Sequence, residues 1–192
     1  TFGASHGYAI GGIVEGLPCG HTIDIDELQA FLKRRAPGQN QLQTQRKEAD
    51  IPEFLAGMVD GMLSGSPLAF MIRNKSQHSG DYNNLRDIPR PSHADFTARM
   101  RYGDKVDMRG GGHFSARLTA PLCVAGGIAL QLLREKGIEI HGHLKQVGTI
   151  QDAPIDMVHP DMKALREIAT EPIAMLDAYK RSEVENLVMK LK

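Results

Sequence analysis

The sequence predicts an α+β fold, and three observations carry that prediction. Short alternating or apolar runs read as strands: YAIGGIVEGLP at 8–18, a pair at 54–60 and 67–73, and 138–150. Stretches of helical periodicity lie at 22–35, 120–136, 161–169 and 179–191. The two kinds of segment follow one another without regular βαβ alternation. The 192 residues, 41% hydrophobic and 24% charged, suit one domain with a substantial core.

Each element has a local reason. In 8–18 the glycines predict close backbone packing, and Pro18 ends the strand. In TIDIDELQAFLKRR, Asp24 and Glu27 make a capping-box-like start. Leu28, Phe31 and Leu32 share one apolar face, and Pro37-Gly38 stops the helix. The pair 54–60 and 67–73 turns around Gly61–Ser66. Residues 74–95 form a long polar loop, a length that usually means function or mobility. From Ala120 to Lys136 runs the strongest helix, with Thr119 as cap and Pro121 in the first turn. Its middle, LCVAGGIALQLL, is apolar on all sides, so the helix is expected to be buried all round. Gly126-Gly127 predicts close approach of another backbone, and Gly137 ends the helix. The chain opens on Thr1 rather than Met and stops within a helical pattern, so it reads as a fragment.

Formal net charge is zero and aromatic residues are scarce at 5%, which argues against a nucleic-acid-binding module. Cys19 and Cys123 have no partner pattern, so no disulfide framework or zinc site is expected, and a reducing cytoplasm fits. No run of about 18 apolar residues appears, so no membrane span is expected.

Four stretches carry chemistry. His6 lies in GASHG, where small neighbours leave an imidazole accessible for proton transfer near neutral pH. The plainer reading is a turn histidine. From Leu28 to Lys47 the chain holds Lys33, Arg34, Arg35, Arg46 and Lys47 and no acid. That is either a solvated basic face at a helix C-terminus or a clamp for a multiply charged anion. RPSHAD holds Arg90, His93 and Asp95. There Pro91 stiffens the approach, and Asp95 either orients the ring or caps a helix. RYGDKVDMRGGGHFSAR adds Arg99, Arg101, Arg109 and Arg117. Its glycine run matches neither a dinucleotide fingerprint nor a P-loop, yet glycines before a helix can free N–H groups for an anion. His141 and His143 alternate along 138–150 without a third ligand, so no metal is expected. Together these residues suggest an enzyme acting on a small, multiply anionic substrate.

The ordered set GASHG, RRAPGQ, TQRKEAD, RPSHAD and GGGHFSAR resembles chorismate synthase. The resemblance runs from Thr1 to about Leu144, roughly the N-terminal half of the family's usual length. It implies a β-α-β sandwich with buried central helices between antiparallel sheets, incomplete in this fragment, and a cytoplasmic homotetramer. It also implies a lyase that removes phosphate and a ring hydrogen from 5-enolpyruvylshikimate 3-phosphate in the shikimate pathway, using reduced FMN, in some members reduced by NADPH. His6 matches the histidine that protonates the departing phosphate, and His93 the one beside the flavin. Ser5 and Ser115 match serines next to these groups. Arg35, Arg46, Arg90 and Arg117 match arginines that grip phosphate and carboxylates. Arg35 and Gln41 match the NADPH contacts, and His113-Phe114-Ser115 the flavin-contacting triplet. The chain departs from the family pattern at Ala4, His113, Phe114 and Leu118. The resemblance also places further flavin groups in a C-terminal half, so the fragment alone is expected to be inactive. The alternative is a non-catalytic anion or flavin-nucleotide-binding domain.

Overall fold

The computed structural model describes residues 1–38, 48–75 and 88–191. Among them the order is β1 (Phe2–Gly3), β2 (Ala9–Val14), α1 (Ile25–Arg35), β3 (Pro52–Ala56), β4 (Met58–Val59), β5 (Met62–Leu63) and β6 (Leu68–Arg73). There follow α2 (Asp95–Tyr102), two 3-10 segments (Arg109–Phe114 and Ala116–Leu118), α3 (Thr119–Glu135), β7 (Gln146–Val147), β8 (Ile150–Gln151), α4 (Met162–Ile168) and α5 (Ala178–Leu191). The chain divides into two compact units. One holds the described residues of Thr1–Pro37 and Arg46–Lys136, the other those of Gly38–Gln45 and Gly137–Lys192.

In the first unit the strands form one antiparallel sheet in the order β1-β2-β6-β3. Register explains which face is buried. Ile10 pairs with Ile72, Gly12 with Phe70, and Val14 with Leu68, so these side chains share the inner face. Phe54 joins them opposite Phe70. α1 and α3 pack together, and Leu28 and Leu32 of α1 meet Val124 and Ile128 of α3 in one core with Ile10, Phe70 and Ile72. Full burial of such a side chain stabilises by about 1.5–3 kcal/mol. Asp24 caps α1 by accepting from the Glu27 backbone N–H, as its sequence position predicts. The expected strand pair at 54–60 and 67–73 forms, with the small β4–β5 hairpin between its members.

Four expectations need correction. α3 is not buried all round: Ala120, Val124, Gly127 and Ile128 face the core, while Leu122 is 60% exposed. The sheet and α1 lie on one side of it only. Gly126 has open space, and Gly127 is approached by the Leu28 and Phe31 side chains rather than by backbone. Thr119 lies inside the helix, its hydroxyl donating to the Ala116 carbonyl, and Ser115 instead caps the 3-10 turn before it. Residues 138–150 do not form a strand, because only Gln146–Val147 find a partner, in Ile150–Gln151.

The helical stretch 109–135 is long and apolar enough, by length and composition alone, to cross a membrane. Its regular part is the 17-residue helix α3. One face of that helix is core.

The second unit is small. Ile173, Met175 and Val184 form its core, with Val147 and Ile150 packed on them. α4 and α5 form close to their predicted limits.

Candidate functional site

Residues 4–7 make a tight turn between β1 and β2, closed by the Gly7 N–H donating to the Ala4 carbonyl at 3.0 Å. Both Ser5 and His6 are buried there, His6 at 6% exposure. The Ser5 N–H donates to the Gly112 carbonyl at 3.1 Å. The Ser5 hydroxyl lies 3.0 Å from the carbonyls of both Arg109 and Gly110, and 3.2 Å from Nδ1 of His6. Carbonyls only accept, so the single hydroxyl proton goes to them. Toward His6 the oxygen can only accept, which assigns a proton to Nδ1. Nε2 is then the nitrogen through which His6 can exchange a proton.

The glycine run explains its own composition. Gly110, Gly111 and Gly112 have φ of 58°, 87° and 55°, the left-handed region that L side chains avoid. A Cβ on Gly110 would lie 2.2 Å from Cε1 of His6, and one on Gly112 would lie 2.0 Å from the Asp107 carbonyl oxygen. The run therefore seats the His6 turn, with the carbonyls of Gly110 and Gly112, and that of Arg109 before them, turned to Ser5. This differs from an anion cradle built only of N–H groups.

Beyond the glycines opens a cleft of about 390 Å³, lined by Arg90, His93, Gly110, Gly111, Phe114 and Ser115 among others. In it His93 donates from Nδ1 to the Pro91 carbonyl at 2.9 Å. Arg90 makes a two-pronged pair with Asp95, Nε to Oδ2 at 2.8 Å and Nη2 to Oδ1 at 2.9 Å. These hydrogen bonds hold the Asp95 carboxyl down at about 2. Asp95 thus serves Arg90, being neither the cap of α2, which is Ala94, nor a hydrogen-bonded partner of the His93 ring. His113 donates from Nδ1 to the Gly3 carbonyl at 3.0 Å, tying the triplet to β1, and Phe114 stacks at a tilt on Tyr102. Ser115 accepts from the Arg117 N–H at 3.3 Å.

Arg35 and Arg117 meet at one carboxylate. Arg117, 7% exposed, donates from Nη1 to Asp50, from Nε to Asn74 at 3.1 Å, and lies 4.0 Å from Glu48. Arg35 reaches the other oxygen of Asp50 at 2.6 Å and also donates to the Thr119 hydroxyl at 3.2 Å. Asp50, Glu48 and Asn74 are all buried, and sequence reasoning missed them as site residues. The available signal was the acid pair closing TQRKEAD immediately after the basic stretch, since buried arginines require acids. Gln41 and Arg46 lie outside the described residues.

Other candidates go elsewhere. Arg109 pairs with Asp107, whose carboxyl it pulls down chiefly through their side-chain hydrogen bonds. His141 joins Glu139, which Arg166 and then His141 hold at about 2. Among the described residues no group of three or more histidines, cysteines or acids is placed to hold a metal.

The sequence model of one family, described as chorismate synthase, matches residues 1–192. A chorismate synthase of Bacteroides thetaiotaomicron is 44% identical over 192 residues, covering 100% of this chain and 52% of that protein. One of Ralstonia pickettii is 50% identical over 151 residues, 78% of this chain and 41% of that protein. The chain thus spans about half the length of the curated relatives it matches. A solved structure titled as the crystal structure of chorismate synthase superposes with a TM-score of 0.70 at 23% identity, covering 99% of this chain and 51% of that one. That likeness shows the fold, an α+β arrangement of antiparallel sheets and helices.

Proposed function

The chain belongs to the chorismate synthase family, and from that premise we propose that it is the N-terminal portion of a lyase. The lyase eliminates phosphate from 5-enolpyruvylshikimate 3-phosphate to give chorismate, in the shikimate route to aromatic amino acids. In this reading residues 1–192 belong to a single domain of a longer chain that works as a cytoplasmic homotetramer. The observation that carries it is the packing of the Ser5–His6 turn on Gly110, whose other side lines the cleft with Arg90 and His93.

The residues fit a flavin. About 390 Å³ lies within the usual range for small-molecule sites. Gly110 and Gly111 present bare backbone, Phe114 an aromatic face, and Arg90 and His93 polar groups. Reduced FMN, when bound, would supply an electron that weakens the C–O bond to the departing phosphate and would recover it as the ring hydrogen leaves, so that the net elimination is redox-neutral. The chain's own groups do the rest. His6, held by Ser5 at Nδ1, acts in its imidazolium form and gives the Nε2 proton to the leaving phosphate oxygen. Arg35, Arg46, Arg90 and Arg117 orient the anionic substrate and neutralise charge as the bond breaks. His93 keeps its Nδ1 on the Pro91 carbonyl, which leaves Nε2 as the ring nitrogen that would face a flavin. Arg35 and Gln41 serve NADPH where the flavin is reduced in place.

The test is an anaerobic assay of the full-length protein with reduced FMN and 5-enolpyruvylshikimate 3-phosphate. Chorismate and phosphate are expected in equal amounts, with none from the 192-residue chain alone. FMN binding without turnover by the full-length protein would overturn the reading in favour of a non-catalytic flavin-binding domain.

A further inference from the structure

Asn74 follows β6 and is 8% exposed. Three of its polar atoms make four hydrogen bonds. Its backbone N–H donates to the Tyr8 carbonyl at 3.1 Å. Its side-chain Nδ2 donates to the Ala4 carbonyl at 3.1 Å and to the Gly7 carbonyl at 2.8 Å. Its Oδ1 accepts from Arg117 Nε at 3.1 Å. One amide therefore clamps both ends of the turn that carries Ser5 and His6 and ties that turn to the guanidinium on Asp50.

The complementarity is strict. Two carbonyls face Nδ2, and carbonyls only accept; a guanidinium N–H faces Oδ1, and guanidiniums only donate. Aspartate has the same shape but would turn a carboxylate oxygen on the two carbonyls. Leucine would remove all three bonds, and although the Ala4 carbonyl keeps the Gly7 N–H, the Gly7 carbonyl and Arg117 Nε would lose their Asn74 partner in a buried place. Glutamine keeps both functions at one methylene greater reach.

We propose that Asn74 is a positioning residue for His6, fixing the turn 4–7 so that Nε2 of His6 is aimed at the phosphate to be protonated. This rests on the proposed lyase reading. Misplacement of a catalytic group by about 1 Å costs on the order of 100-fold in rate. Because Asn74 acts through His6, its loss should matter only while His6 is present.

The experiment uses the full-length protein with Asn74→Asp, Asn74→Gln, His6→Ala and the double variants. Turnover and KM are measured for each. Hydrogen exchange is followed by mass spectrometry on the peptide covering residues 2–12, with the α5 peptide as reference. Asn74→Asp is expected to lower kcat about 100-fold, to speed exchange of the 2–12 peptide at least tenfold, and to leave α5 unchanged. Asn74→Gln should recover part of both losses. In the His6→Ala background either Asn74 substitution should lower kcat less than threefold further. A loss that multiplies undiminished in that background, unchanged exchange at 2–12, or failure of both variants to fold would each overturn the proposal. Should the wild-type protein make no chorismate, the lyase reading fails by itself, and the exchange of the 2–12 peptide still decides whether Asn74 holds the turn.

Discussion

Adding one methyl group at Gly110 tests the seat of His6 most directly. In Gly110→Ala the new Cβ meets two atoms of the His6 ring, Cε1 at 2.2 Å and Nδ1 at 2.3 Å, and Ser5 Oγ at 2.9 Å. The backbone there has φ of 58°, which costs an alanine roughly 1–2 kcal/mol. Forcing extra volume into a packed site costs about 1–3 kcal/mol more. If the ring stays, the variant loses about 2–5 kcal/mol, a large share of a typical stability of about 5–15 kcal/mol. If the ring swings away, the loss shrinks to the backbone contribution, and turnover falls by 100-fold or more instead. Gly111→Ala is the internal control. Its φ is 87°, but its Cβ would rest 3.4 Å from the Ser115 Cβ, an ordinary contact. Urea unfolding and turnover of the full-length protein separate the cases. Gly110→Ala with the stability of Gly111→Ala and undiminished turnover would refute the assigned seat. Gly112→Ala should be worse than either, because its clash is with the Asp107 backbone at 2.0 Å and no rotamer relieves it.

The other predictions are simpler. His6→Ala should lower kcat by about 10²–10⁴-fold while the protein stays folded, with a loss of about 1–3 kcal/mol in urea unfolding for the buried ring; a rate within threefold of wild type removes His6 from proton transfer. Asp50→Asn breaks a buried carboxylate shared by two guanidiniums and should cost about 3–5 kcal/mol in urea unfolding; a change below about 0.5 kcal/mol would contradict the network. Asp95 has a carboxyl at about 2 in the folded protein against 3.8 ordinarily. A depressed acid contributes stability that is complete above pH about 4 and disappears as pH falls toward 2, here roughly 2 kcal/mol. Urea midpoints taken across that window should therefore slope less in Asp95→Asn than in wild type, and equal slopes would exclude the pair as the cause.

Local signals were legible and distant ones were not. Asp24, Glu27, Leu28 and Leu32 specify α1 within a dozen residues, and its cap and buried face appear where the pattern puts them. The alternation in 8–18 and 67–73 is likewise local, and register follows once Ile10 faces Ile72. The run at 138–150 alternates equally well, but alternation does not supply a partner strand, and there only 146–147 obtain one. The apolar 120–136 stretch shows that α3 can be buried anywhere along its circumference without saying how much of it is covered. In the site, His6, Ser5, Arg90 and His93 lie within short motifs, so their neighbours identify them. Asp50 and Asn74 owe their place to partners 67 and 43 positions away, Arg117 in each case, and no local pattern marks such pairs.

Those long-range partners change what the arginines of this unit can do. A lone guanidinium in so buried a place would be costly, and Asp50 with Glu48 balances Arg35 and Arg117 charge for charge. The balance is imperfect in detail. Arg117 Nη2 has no hydrogen-bond partner among the described residues, and Asp50 holds φ at 49°, a backbone state costing of order 1 kcal/mol or more in a residue with a Cβ. Strain and an unmet donor persist only where the surrounding structure over-determines them, here by the Arg35, Asn74 and Thr119 contacts at once. An acid beside a proposed site for an anionic substrate looks self-defeating if attraction is all that matters. It is not, because a fixed guanidinium needs no reorganisation when charge develops, whereas a solvated one does. Asp50 thus trades part of the positive field for direction, and the Asn74 amide extends the same rigidity to the turn that bears His6.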